Sequence, residues 1–157
     1  MAGWQVDFAI VPKRALATKP PVPIQSLIDA DWWASERLPA GYAQQLGAIA
    51  PAATSSGAAE RQGWGREDEN RIDVWFENGK PLRMVARVDV RRLDAKFGAL
   101  LLQFARTAGA VLVRGDGLVV EPVVGAFGAA LRTSTAWQYA NDPAAHLSSY
   151  AEAEEDE

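Results

Sequence analysis

The residues best suited to chemistry in this chain form an alternating set between positions 71 and 91. Arg71, Asp73 and Trp75 recur at every second position, and Arg83, Arg87, Asp89 and Arg91 continue the same phase further on. In an extended chain every second side chain projects from one face, so the set makes a single face of arginine, aspartate and tryptophan. Trp64 lies just upstream as a further aromatic. Guanidinium forks grip carboxylates and phosphates through paired hydrogen bonds, and large aromatics beside arginine are the usual anchors of protein recognition. The expected binding residues are therefore Trp64, Arg71, Asp73, Trp75, Arg83, Arg87, Asp89 and Arg91. The function this pattern predicts is a non-enzymatic protein-binding module of immunity or adaptor type. The alternative is a small-anion-binding protein or an enzyme that uses the same arginines, with Asp73 or Asp89 as acid or base. A plainer reading competes with both: one face of an antiparallel sheet commonly meets water, and opposite charges there pair across strands.

Other constellations carry less. Glu67, Asp68, Glu69 and Asp73 are oxygen donors, but they lack the alternate-residue spacing and the glycine of a calcium loop. Asp142 stands four residues before His146, the one histidine, and a packing or surface role on a C-terminal turn fits that pair best. Asp7, Asp73, Asp89 and Glu121 offer carboxylates beside strands, as any sheet protein does. The chain has neither a Gly-x-Ser-x-Gly elbow nor a phosphate-binding glycine loop. No catalytic residue, metal ligand or cofactor is assigned. Trp33, next to Trp32, joins Trp64 and Trp75 as an interface candidate, because adjacent residues on a helix point in different directions.

Composition narrows the field. The absence of cysteine removes thiol catalysis, thiolate zinc sites and disulfides, and fits a reducing compartment. The net charge of -4 reflects five acidic residues among 152–157, since 16 basic residues face 15 acidic ones over residues 1–151. A near-neutral body argues against nucleic acid as a partner. No basic and apolar leader and no long apolar run is visible, which predicts a soluble, cytoplasmic protein without membrane contact.

The elements that must position the charged face follow from periodicity. Val6, Phe8 and Ile10 alternate with Gln5, Asp7 and Ala9 in a first strand ended by Pro12. Helical spacing predicts helices over roughly 24–36 and 40–50, and residues 52–62, rich in small residues without period, read as a mobile loop. A hairpin spans 70–91 around Glu77-Asn78-Gly79. A two-residue Asn-Gly turn puts Leu82, Met84, Ala86 and Val88 on the wrong face, so the expected turn has three residues, with Gly79 as a left-handed bulge. That register pairs Val74 with Leu82, Ile72 with Met84, Asp73 with Arg83 and Glu69 with Arg87. Asp94 caps a helix carrying Phe97, Leu100, Leu101, Phe104, Ala105 and Ala108 on one side. A second hairpin turns at Arg114-Gly-Asp-Gly117, and Pro122 opens a last helix with Val123, Val124, Phe127, Ala130 and Leu131 inward. Two hairpins and irregular alternation of strand with helix predict an α+β fold. Its form is one mostly antiparallel sheet of two hairpins plus the N-terminal strand, with helices packed on one face. Residues 1–150 form a single domain in this reading, and residues 151–157 a disordered acidic tail.

Overall fold

The computed structural model describes residues 3–17, 24–52 and 60–141. The chain runs through β1 (Gln5–Pro12), α1 (Ile24–Asp29), α2 (Tyr42–Ile49), β2 (Arg61–Gly65), β3 (Arg71–Glu77) and β4 (Lys80–Asp89). It continues through α3 (Ala95–Thr107), β5 (Ala110–Arg114), β6 (Val119–Val120), α4 (Val124–Arg132) and α5 (Thr135–Asn141). The six strands form one sheet in the order β2-β3-β4-β1-β5-β6, and every neighbouring pair is antiparallel. The fold is α+β, as the two hairpin signals require.

β1 occupies the middle of the sheet because it is apolar on both faces. Phe8 and Ile10 enter the main core, while Ala9 and Val11 are buried on the other side with Val111 and Val113. The main core lies between the first face and α2, α3 and α4. Met84, Ala86, Ile72 and Val74 from the first hairpin meet Leu46, Leu101, Phe104 and Phe127 there, and the Phe8 and Phe127 rings stand 5.4 Å apart. The predicted cap of α3 is present, with Asp94 accepting a hydrogen bond from the Phe97 backbone N–H at 3.0 Å. That bond satisfies one of the donors a helix leaves open at its start.

Several local expectations are corrected. The first helix stops at Asp29 and a separate 3₁₀ turn follows at Trp32–Ser35, with Trp33 turned into the main core and Trp32 packed on the second face. Trp33 is thus no interface residue: it is 2% exposed and its indole N–H donates to the Ile10 carbonyl at 2.7 Å. Residues 61 and 62, read as loop, belong to β2, and Ala52 bridges to Trp64; the glycines of Arg61-Gln-Gly-Trp-Gly65 hide the strand period. Residues 53–59 lie outside the described residues, as do Asp142, His146 and the acidic tail. In α4, Phe127, Ala130 and Leu131 point inward, but Val124 is exposed and so is Val123 before it.

The hairpin register is also displaced by two residues. The turn is the two-residue Asn78-Gly79, both with positive φ, and the extra residue is Leu82 within β4, where pairing passes from Phe76–Pro81 to Trp75–Arg83. A bulge in the strand restores the apolar phase just as a three-residue loop does, so the faces are as expected while the partners differ. Trp75 faces Arg83, Asp73 faces Val85 and Arg71 faces Arg87.

Candidate functional site

The second face of the sheet carries the charged set. Successive cross-strand rows run Arg61, Trp75, Arg83; then Gly63, Asp73, Val85, Ala9, Val113; then Gly65, Arg71, Arg87, Asp7. Ile28 of α1 and Trp32 cover only the apolar part of this face, over Ala9, Val11, Val111 and Val113. Beside them the polar rows remain open as a groove of about 640 Å³, a size within the usual range for ligand pockets. Its floor is Asp7, Ala9, Val85 and Arg87, and Trp75 and Arg83 stand at one side. α1, the turn after β5 and the α4–α5 junction supply the remaining walls.

The like charges Arg71 and Arg87 are direct neighbours, an arrangement that is unfavourable unless the side chains part. They part in opposite directions. Arg71 folds over β2, where Nε donates to Asp73 Oδ1 at 2.9 Å and a terminal nitrogen donates to the Gly65 carbonyl at 3.0 Å. Glycine at position 63 is what admits it: a Cβ there would lie 2.0 Å from an Arg71 terminal nitrogen. Asp73 is fully buried, with the Arg61 guanidinium 3.8 Å away as a second counter-charge.

Arg87 leans the other way, toward β1. Its Nε stands 3.5 Å from Asp7 Oδ1, close enough for charge attraction and too far for a hydrogen bond. Burial pushes the Asp7 carboxyl above the usual carboxylate range, outweighing the lowering effect of Arg87. Arg83 stacks 4.7 Å over the Trp75 ring and donates to the Asp29 carbonyl at 3.2 Å. Four buried polar atoms on this face make no hydrogen bond: Asp7 Oδ1, Asp73 Oδ2, Arg83 Nε and Arg87 Nε. Buried polar atoms are almost always paired, so their concentration on one face marks the site.

The structure brings together Arg71, Asp73, Trp75, Arg83 and Arg87, and separates the rest. Asp89 and Arg91 sit on the same face but beyond its end, joined by a two-point fork at 2.8 and 3.1 Å. Arg91 also stacks 3.9 Å over Trp4. With Gln5, whose amide donates to the Glu67 and Glu69 carbonyls, and Trp4, whose indole donates to the Asp68 carbonyl, they tie down the 66–70 connection. Trp64 is a correction: it lies on the opposite face, 6% exposed, in the main core. It shares the parity of Ile72, its cross-strand partner.

Asp7 is the residue that motif reading underrates. Its place on the polar side of the first strand was legible, but its role depends on β1 lying beside β4. Arg114 and Asp116 likewise reach the groove through the tertiary fold, paired at 2.7 and 2.8 Å, with Arg114 also donating to the Ala130 carbonyl and Thr133. The hydroxyls at the α4–α5 junction serve the backbone. Thr133 donates to the Ala129 carbonyl, and Ser134 donates to the Leu131 carbonyl and accepts from the Trp137 N–H. Among the described residues no three acidic or histidine side chains are grouped to hold a metal ion, and no helix is long and apolar enough to cross a membrane. Compared with family models, with curated proteins and with solved structures, the chain matches none.

Proposed function

We propose that the protein is a non-enzymatic binding module that receives a segment of a protein partner in the groove of the second sheet face. The observation that carries this reading is the set of three buried polar atoms without hydrogen bonds on Asp7, Arg83 and Arg87, all of which line the groove; the fourth, Asp73 Oδ2, lies outside it. Buried polar atoms without a hydrogen bond are costly in the free protein even where an opposite charge stands nearby, as Arg87 does beside Asp7, and a partner presenting complementary groups recovers that loss on docking. Trp75 and Arg83 supply an aromatic and guanidinium anchor at the groove's side. The arginines and aspartates stand on strands, which hold them at fixed spacing, and the Thr133 and Ser134 hydroxyls are engaged by backbone groups rather than by a base.

Site-directed photocrosslinking tests this reading. A benzophenone amino acid replaces Gln25, an exposed residue of the groove wall, and adducts formed in cells of the source organism are compared across three backgrounds. A single protein adduct that disappears in Trp75→Ala/Arg87→Ala and persists in Arg92→Ala is the expected result. An unchanged adduct in the groove double variant, or no protein adduct in any background, overturns the reading.

A further inference from the structure

We propose that the floor of the groove is a proton-linked carboxylate subsite, in which Arg87 takes the carboxylate of a partner's acidic side chain and Asp7, beside it, takes up a proton as that carboxylate binds and shares it with the ligand. The inference rests on the groove being the partner-binding site and names the group that it accepts.

Arg87 is the starting point. Of the arginines on this face, Arg71, Arg83 and Arg91 each donate to a protein oxygen, whereas among the described residues Arg87 and Arg61 donate to none, and Arg61 is the more exposed and does not line the groove. The Arg87 side chain is 19% exposed and its Nε is buried without a hydrogen bond. A guanidinium presents five N–H donors in a planar fork matched to a carboxylate. Its neighbour Arg71 is already committed to Asp73 and the Gly65 carbonyl, so it adds positive charge beside Arg87 without competing for the ligand. The groove's small floor residues, Ala9 and Val85, leave room above the guanidinium.

Asp7 decides what kind of anion fits. Its Oδ1 is buried, lacks a hydrogen bond and lies 3.5 Å from Arg87 Nε. An ionised Asp7 repels an incoming carboxylate, while a protonated Asp7 offers it a donor, as paired carboxyl groups sharing one proton do. The burial that already disfavours the charged form of Asp7 works in the same direction. The charged groups around it come from several elements. Arg87 lies on β4, Asp73 on β3, Arg114 and Asp116 at the end of β5 and the turn after it, and Asp29 on α1. The charged side chains lining the groove balance, with Asp7, Asp29 and Asp116 against Arg83, Arg87 and Arg114. A carboxylate that arrives with one proton keeps that balance, whereas a doubly charged phosphate does not.

The test reads the subsite without the partner. Formate, which stays ionised across the range used, is titrated into the full chain while the arginine Nε–H resonances are followed by NMR, with chloride at equal ionic strength as reference. The Arg87 resonance is assigned by its loss in Arg87→Gln. Formate is expected to shift that resonance, with affinity falling about tenfold per pH unit once Asp7 is ionised. Asp7→Asn, whose amide is a donor at every pH, is expected to bind formate with no such dependence. The proposal is overturned by an Arg87 resonance that does not respond to formate, by equal affinity at about pH 5 and about pH 7 in the unsubstituted chain, or by inorganic phosphate binding more tightly than formate. A formate response as described, alongside no crosslinked protein, keeps the carboxylate subsite and refutes the protein-docking reading; a crosslinked partner with a silent Arg87 does the reverse.

Discussion

Replacing Gly63 by alanine isolates the contact that shapes the polar face. Gly63 does not occupy the left-handed region, so by backbone entropy alone the substitution stabilises the chain by about 0.4–1 kcal/mol. The structure predicts the opposite sign. The new Cβ falls 2.0 Å from an Arg71 terminal nitrogen and 2.5 Å from Cζ, so the guanidinium has to leave its place. Its departure breaks the 2.9 Å bond to Asp73, whose carboxylate is fully buried and is then left with Arg61 at 3.8 Å. Removing one member of a buried pair costs about 3–5 kcal/mol. The displaced guanidinium is the end of a flexible side chain and stays near Asp73, so that figure is the ceiling, and subtracting the entropic gain leaves a net loss of at most about 4–5 kcal/mol. Urea denaturation at constant slope measures it, and thermal unfolding should fall by roughly 2–4 °C for each kcal/mol in a chain of this size. The decisive comparison is a double-mutant cycle. In an Arg71→Ala background the steric target is gone, so Gly63→Ala should change stability by less than about 1 kcal/mol. Equal losses in both backgrounds, or a Gly63→Ala protein as stable as the original, refute the account of Arg71 packed over a glycine.

Asp7→Asn should stabilise the chain near neutral pH and flatten its pH profile. The Asp7 carboxyl is raised in the folded state, so the folded chain binds more protons than the unfolded one between the two values, and Asp7's contribution is fully present below the unfolded value and lost as pH rises through the folded one; denaturation from acid to neutral pH reads both effects. Asp94→Ala removes the side-chain bond to the Phe97 N–H and should destabilise by about 1 kcal/mol, with Asp94→Ser restoring most of it, as measured by urea midpoints. Gly79→Ala meets no neighbouring atom, yet Gly79 has a φ of 78°; a loss of about 1–2 kcal/mol in urea denaturation is expected from backbone strain alone.

Much of this architecture was readable from local chemistry. The helix from Ala95 carries its cap and its apolar spacing within a dozen residues, and Asn78-Gly79 announces a hairpin whatever surrounds it. Because side chains alternate with a period of two, the assignment of Arg71, Asp73, Trp75, Arg83 and Arg87 to one face survives a register error of two residues. The same periodicity misplaces Trp64 only because glycines on either side conceal that it continues the phase of Ile72. The break after Asp29 and the outward turn of Val124 were also hidden, since helical spacing alone does not say which turns a neighbouring element will cover.

By itself the sequence determined the two hairpins, the α3 cap, the α+β class and a polar sheet face rich in arginine, because each depends on residues close together in the chain. Tertiary structure decided that β1 lies between β4 and β5, and with it that Asp7 confronts Arg87 across 80 residues of chain. It also decided that Arg71 turns away over Gly63 and that α1 covers only part of the second face, leaving the groove. Strand order and side-chain partition between like charges are settled by the packing of the whole sheet, in which a residue's neighbours are set by pairings that no local pattern encodes.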